Sequence, residues 1–203
     1  YSQNNVQVFR NLSDYKTLLA DDELAFEPGT RFSYSNSGML ILGVIIEQIS
    51  GMPYFDYLQK YIFMPSGMND TGGFYKDRPL EDRATGYTKV YENGEVTFDN
   101  HQFTRIMIGS PSGGAYSTVE DFLKFETALR KNKLLSAENT RLLFEGRPEL
   151  NAGFHSYGFF IEEGDAGKIA SHSGDGRGVN AQFNMYLDNG YTFVVLSNYS
   201  RPS

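Results

Sequence analysis

Cysteine is absent from the 203 residues, which excludes a disulfide framework, a thiolate metal site and a thiol nucleophile, and leaves the compartment open. Positive charge is in short supply: 18 Lys and Arg stand against 25 Asp and Glu, a net charge of −7. No basic cluster offsets this balance, so neither nucleic acid nor an anionic membrane is an expected partner. Long apolar runs are missing too. The run after Gly38 stops at Glu47-Gln48, short of the roughly 18 residues that a membrane span requires. The three histidines, His101, His155 and His172, lie on separate segments without the spacing of a zinc site, so no metal is expected. The chain opens on Tyr1-Ser2-Gln3-Asn4-Asn5, with neither an initiator Met nor a signal-peptide core, and reads as a processed or excised piece of something longer. Repeats, low-complexity tracts and linkers are likewise lacking. The 40% hydrophobic content suffices for one sizeable core or two small ones, and residues 1–203 read as one partial domain.

The most informative stretch present is Phe26-Glu27-Pro28-Gly29-Thr30-Arg31-Phe32-Ser33-Tyr34-Ser35-Asn36-Ser37-Gly38, which runs into the apolar segment Met39 to Ile46. Pro28-Gly29 breaks the chain, Asn36 is placed to cap the following helix, and Tyr34 falls just outside its first turn. A phenol and an amide two residues apart at a helix mouth can serve a site, although a plain cap has the same spelling.

In chain order, the spacing of Leu12, Tyr15, Leu18 and Leu19 predicts a short helix capped by Ser13. A helix from about Ser37 to Ser50, apolar nearly all round and closed by Gly51, is expected to be central and buried. Pro53 starts a third helix with an aromatic face of Tyr54, Phe55, Tyr57 and Tyr61, ended by Pro65-Ser66-Gly67. Glu92-Asn93-Gly94 between Thr88 and Phe98 predicts a hairpin in a surface excursion, near 86–99, from the mainly helical region 1–150. Thr118 caps another helix, with Asp121 as its reciprocal partner, burying Phe122, Leu123, Phe125 and Leu129; one more begins at Ser136. Beyond Asn151 the period becomes that of strands. Tyr157 to Glu162, Lys168 to Ser173, Val179 to Leu187 and Tyr191 to Ser197 form an antiparallel meander of about four strands within 151–203, with a glycine-rich bend at 174–178. Val179, Ala181, Phe183 and Met185 share one face; Asn180, Gln182, Asn184 and Tyr186 share the other. The fold class is α+β.

Gly174-Asp175-Gly176-Arg177-Gly178 is not a nucleotide loop, because its spacing is wrong and a strand follows it, so no cofactor is expected. Gly109-Ser110-Pro111-Ser112-Gly113 puts Pro where a nucleophile elbow needs serine. What remains is Tyr34-Ser35-Asn36 at a helix start and His172-Ser173-Gly174 at a strand end. With Phe26 to Gly38 and Ser112-Gly113-Gly114-Ala115-Tyr116-Ser117-Thr118, these motifs resemble, in order, the serine β-lactamase and penicillin-binding-protein superfamily. The branch resembled holds class C β-lactamases, DD-peptidases, D-aminopeptidases and related esterases.

That resemblance implies a β-lactamase/transpeptidase-like fold and acyl transfer on an amide or ester, by peptidase, esterase or β-lactam hydrolysis. Tyr34 would move protons to and from the nucleophile and leaving group, and Asn36 would hold the substrate's amide carbonyl. His172 would line the opposite wall, where Ser173 and Gly174 form a substrate-binding strand edge and the Asp175 N–H helps hold the oxyanion. A small molecule or peptide is the implied substrate, and an exported, periplasmic or extracytoplasmic setting is implied by the resemblance alone. The family's nucleophile sits in Ser-x-x-Lys well upstream of Tyr-x-Asn. The matching string here, Ser13-Asp14-Tyr15-Lys16, lies too close to Tyr34, so Ser13 is read as a cap and the chain as lacking its nucleophile. The parent protein is then an enzyme and this chain alone is inactive. The alternatives are a pseudoenzyme or binding module for peptidoglycan-like or peptide ligands, or association through uncovered sheet or helix faces.

Overall fold

Pro28-Gly29 makes a tight turn in which the Thr30 N–H reaches the Glu27 carbonyl at 3.2 Å and Gly29 takes φ 80°. From this turn the chain runs into helix α1, Asn36–Ser50, closed by Gly51 at φ 66°. The computed structural model describes residues 11–15, 23–73, 81–92, 94–100 and 109–200; residues 16–19 of the first expected helix and His101 lie outside these. Leu12–Tyr15 forms a single 3-10 turn. The Asp14 carboxylate accepts the Asn11 N–H at 2.8 Å, an aspartate turn, and the remainder of the helix that Ser13 is expected to cap lies outside the described residues.

Helix α2 follows over Tyr54–Ser66, with a π-turn at Gln59–Phe63. Pro65 has no N–H to give, and the widened turn admits it before Gly67 ends the helix at φ 76°. The two helices are joined by a carboxylate, because Glu47 of α1 accepts the N–H of Tyr54 at 2.8 Å. Among the described residues no single helix is long and apolar enough to cross a membrane; α1 and α2 are that apolar only together, and are bent by 76°.

The expectation of a buried α1 is corrected. Only Leu40, Gly43 and Val44 are buried, whereas Ile49 is 83% and Leu42 52% exposed. Among the described residues the helix meets its neighbours along one stripe, where Leu40 and Val44 pack with Leu12, Tyr15 and Tyr54. Gly43 completes that stripe: a Cβ there would stand 2.0 Å from the Pro111 ring, so the glycine lets the 109–118 loop lie against the helix.

Strands β1, Tyr87–Glu92, and β2, Glu95–Asn100, form the expected hairpin, with Gly94 at φ 83°. It is tied to the far end of the chain, where the Tyr87 N–H reaches the Asn198 carbonyl at 2.8 Å and the Ser200 N–H reaches the Tyr87 carbonyl at 3.0 Å. Helix α3, Val119–Arg130, starts where Thr118 accepts the Asp121 N–H at 3.2 Å. The reciprocal half of the capping box does not form. The fully buried Asp121 carboxylate instead accepts the Asp70 N–H and the Thr71 hydroxyl, each at 2.8 Å, and pairs with Lys124 at 2.7 Å. Leu123 is also corrected, being 53% exposed: Phe122 and Phe125, three residues apart, face the sheet, Leu129 is buried as expected, and Leu123 is turned outward. Helix α4, Ala137–Leu143, is capped by Ser136.

Four strands, β3 Phe160–Gly164, β4 Gly167–Gly176, β5 Val179–Tyr186 and β6 Thr192–Ser197, make an antiparallel sheet in chain order. The meander and its alternation agree with the sequence. Ile161, Ala170, Phe183 and Met185 are buried and receive Phe122 and Phe125 of α3, together with Phe144 and Phe159. Arg130 locks α3 onto the sheet by donating to the carbonyls of Tyr186 at 2.9 Å and Leu187 at 3.0 Å. Two boundaries differ. β3 begins at Phe160 and not at Tyr157, because the Ser156 N–H turns back to the Phe159 carbonyl at 2.8 Å with Gly158 at φ 105°. β4 continues through Gly174 and Asp175 to Gly176, because both residues pair with β5, opposite Ala181 and Asn180, so the bend is confined to Arg177-Gly178.

Candidate active site

The cap of α1 is Ser35, in an extended conformation (φ −146°, ψ 111°), with its hydroxyl accepting the Gly38 N–H at 3.0 Å. This corrects the assignment of that role to Asn36, which is the first helical residue and is exposed. The shift by one residue has a chemical result, since the Asn36 amide is not spent on capping the helix. Tyr34, one residue before the cap, is half exposed.

Tyr34 is held from behind. The Phe32 N–H donates to the Leu150 carbonyl at 3.0 Å, which fastens this segment to the turn after α4. That turn is closed by paired bonds between Arg147 and Ala152, at 2.8 and 2.9 Å, and continues through His155 into β3.

Five rings from three parts of the chain then converge. Tyr34 lies 6.3 Å from Phe160, nearly parallel to it, 6.2 Å from His155 and 6.5 Å from His172. Phe160 bridges the two imidazoles, at 4.8 Å from His155 and 5.7 Å from His172, and Phe32 covers His155 at 4.6 Å. Burial pushes the His172 imidazole below the usual histidine range; His155 acts in the same direction, and the hydrogen bond to the Ser173 backbone opposes them. At neutral pH His172 is therefore an uncharged donor and acceptor.

Along β4 beyond His172, residues Ser173, Gly174 and Asp175 line a shallow polar cleft with Asn180, Ala181 and Gln182 of β5. The structure thus brings Tyr34 and His172 together and sets the strand residues one to three positions further on. Neither Tyr34 nor Asn36 lines that cleft. Among the described residues no group of three or more His, Asp or Glu side chains could hold a metal ion. Ser13 sits, exposed, in the turn against α1.

Sequence reasoning missed Phe160 and His155. In the sequence Phe160 is one of several aromatic strand residues, and His155 fits no metal spacing. The one available signal was the density of rings in Phe154-His155-Ser156-Tyr157-Gly158-Phe159-Phe160.

Known proteins are similar to this chain along nearly its whole length. Penicillin-binding protein 4* of Bacillus subtilis (strain 168) is 31% identical over 198 residues, 91% of this chain and 44% of that protein. The crystal structure of a penicillin binding protein from Bacillus halodurans superposes with a TM-score of 0.85 at 28% identity, covering 96% of this chain and 60% of that one. The octameric penicillin-binding protein homologue from Pyrococcus abyssi gives a TM-score of 0.77 at 27% identity, covering 93% of this chain and 44% of that one. The chain therefore spans between about two fifths and three fifths of these relatives, and its fold is that of the β-lactamases and transpeptidases. With the Beta-lactamase family profile matching residues 4–203 as well, the chain belongs to the β-lactamase family, on the branch that includes penicillin-binding proteins.

Proposed function

We infer that this chain supplies two walls of a serine-type acyl-transfer site and that the attacking serine is not among its residues. The observation that carries the reading is the meeting of Tyr34 and His172, distant in sequence, across Phe160. On the first wall Tyr34 passes protons between nucleophile and leaving group, and the Asn36 amide receives the substrate carbonyl. On the second, His172 stands beside a strand edge where Ser173 and Gly174 align the substrate and the Asp175 N–H supports the developing oxyanion. Phenol and imidazole must lie near each other for protons to cross the cleft, and their ring centres are 6.5 Å apart.

The depressed pKa of His172 favours one substrate class within this reading. An uncharged imidazole does not attract a substrate carboxylate as an ammonium would, so esters and neutral amides fit better than carboxylate-bearing β-lactams. The test has two parts. The isolated chain, mixed with a chromogenic cephalosporin, short p-nitrophenyl esters and a labelled penicillin, should show no stoichiometric acylation; a label on Ser13 would overturn the missing-nucleophile reading. In a longer polypeptide carrying an upstream Ser-x-x-Lys segment, Tyr34→Phe should lower kcat by about 10²-fold or more, in keeping with removal of a general acid–base group.

A second reading is favoured by a separate observation. Leu42, Ile45 and Ile49 on α1, and Phe193, Val195 and Leu196 on β6, are all exposed apolar side chains. They suit association with a further polypeptide, and a clean monomer in sedimentation at high concentration would remove that reading.

A further inference from the structure

His155 is a buried imidazole that the proposed chemistry does not use. It is 7% exposed and fixed on every side by the backbone: its N–H donates to the Ala152 carbonyl at 3.0 Å, and its carbonyl accepts the Arg147 N–H at 3.2 Å. Its ring is fixed as well. Nδ1 lies 2.7 Å from the Ser156 carbonyl oxygen, which can only accept, so Nδ1 carries the hydrogen, and in the neutral imidazole Nε2 is then the acceptor. That Nε2 is buried and, among the described residues, has no hydrogen-bond partner. Leaving such an acceptor empty in an aromatic pocket costs stability, and a plain ring would pack there without the cost. Of the rings packed on His155 from other segments, Phe32 and Phe160 have no polar hydrogen, whereas Tyr34, at 6.2 Å and edge to face, carries a hydroxyl. Tyr34 is also half exposed, and a turn of its phenol would bring the hydroxyl onto Nε2.

We propose that His155 is a positioning residue for Tyr34, its buried Nε2 accepting the hydrogen bond of the Tyr34 hydroxyl and so fixing where the phenol stands beside His172. The groups around this contact are few. His172 faces Tyr34 from β4, Phe32 and Phe160 are uncharged, and the ion pair on the same loop, Arg147 with Glu149, is turned to the Tyr157 ring. The Ser156 carbonyl is what makes the device specific, because it sets the tautomer: with the hydrogen on Nδ1, Nε2 can only accept, and what it accepts must be a donor such as a phenol.

The proposal rests on the acyl-transfer reading only for what Tyr34 does, and it is tested without turnover. In the chain labelled with ¹⁵N-histidine, long-range ¹H–¹⁵N spectra should show His155 as the Nδ1–H tautomer, with Nε2 shifted upfield from an unbonded lone pair. Tyr34→Phe should abolish that shift while leaving the tautomer unchanged; an Nε2 resonance identical in the two proteins overturns the proposal. This variant lies on a half-exposed side chain and does not disturb the core. The converse pair reads the same contact from the other side. His155→Phe should move the ¹³Cζ resonance of Tyr34, and His155→Gln, which restores an acceptor, should bring it back at least halfway. A larger displacement in His155→Gln than in His155→Phe would mean that the ring matters for shape alone, and would overturn the assignment. Failure of either test leaves the acyl-transfer reading intact, and absence of turnover in any longer protein leaves the contact intact.

Discussion

The sheet and the helical pair α1–α2 both carry many apolar residues, the helices the larger share, yet they end in opposite states. Behind the sheet, Ala170 and Met185 are fully buried and Phe183 is 5% exposed, because α3 lays Phe122 and Phe125 across them. In α1 the buried apolar side chains are Leu40 and Val44, while Leu42, Ile45 and Ile49 look outward. The difference teaches that apolar composition states how much surface a segment can bury, while the number of elements around it decides how much it does bury.

The sharpest way to break this comparison is to cut each side in turn. Met185→Ala should cost about 4 kcal/mol, since it empties a packed site, and chemical denaturation would measure it. Asp121→Ala should cost about 3 kcal/mol by stranding the Asp70 N–H and the Thr71 hydroxyl, with Asp121→Asn costing less; comparable loss in both would show that charge matters more than the bonds. Gly43→Ala, normally a gain in a helix, should cost about 2 kcal/mol against Pro111. At the lower end, Ile49→Lys should change stability by no more than about 0.5 kcal/mol. If it cost as much as Met185→Ala, the contrast between the two regions would collapse.

Two pH effects sharpen the same contrast. The Asp121 carboxyl is held low: burial opposes this, but the Lys124 ammonium, the Thr71 hydroxyl and the Asp70 N–H prevail. Its folded value lies below the unfolded one, so its contribution is whole above about pH 4 and is lost as pH falls through the lowered value. His172 is likewise depressed, which means that its contribution is present above about pH 6.5 and declines as pH falls from there. An NMR titration of His172 should give a midpoint below 6.5.

Much of this was legible from local chemistry. The hairpin turning at Gly94, the four-strand meander, the Gly51 terminus and the Thr118 cap all follow from residues that touch their own neighbours. The errors lie where a choice depended on distant partners. Ser35 and Asn36 are both good caps, and only the register of α1 separates them. Asp121 matched a capping box but was claimed by Asp70 and Thr71, far back in sequence. The Gly174-Asp175 bend became strand because β5 offered partners there. His155 was invisible for the same reason, since its meaning comes from rings contributed by residues 32, 34 and 160.

The hydrogen bond from Phe32 to Leu150 has a kinetic meaning as well. The meander can close hairpin by hairpin, each step bringing together residues already near in sequence, whereas this bond must close a loop that contains most of the helical region. The sheet should therefore form early and the Tyr34 wall should dock late. By the same ordering, the docked segment is the first to detach under mild denaturant, so hydrogen exchange at the Phe32 amide should report loss of the site while the amides of β4 and β5 remain protected.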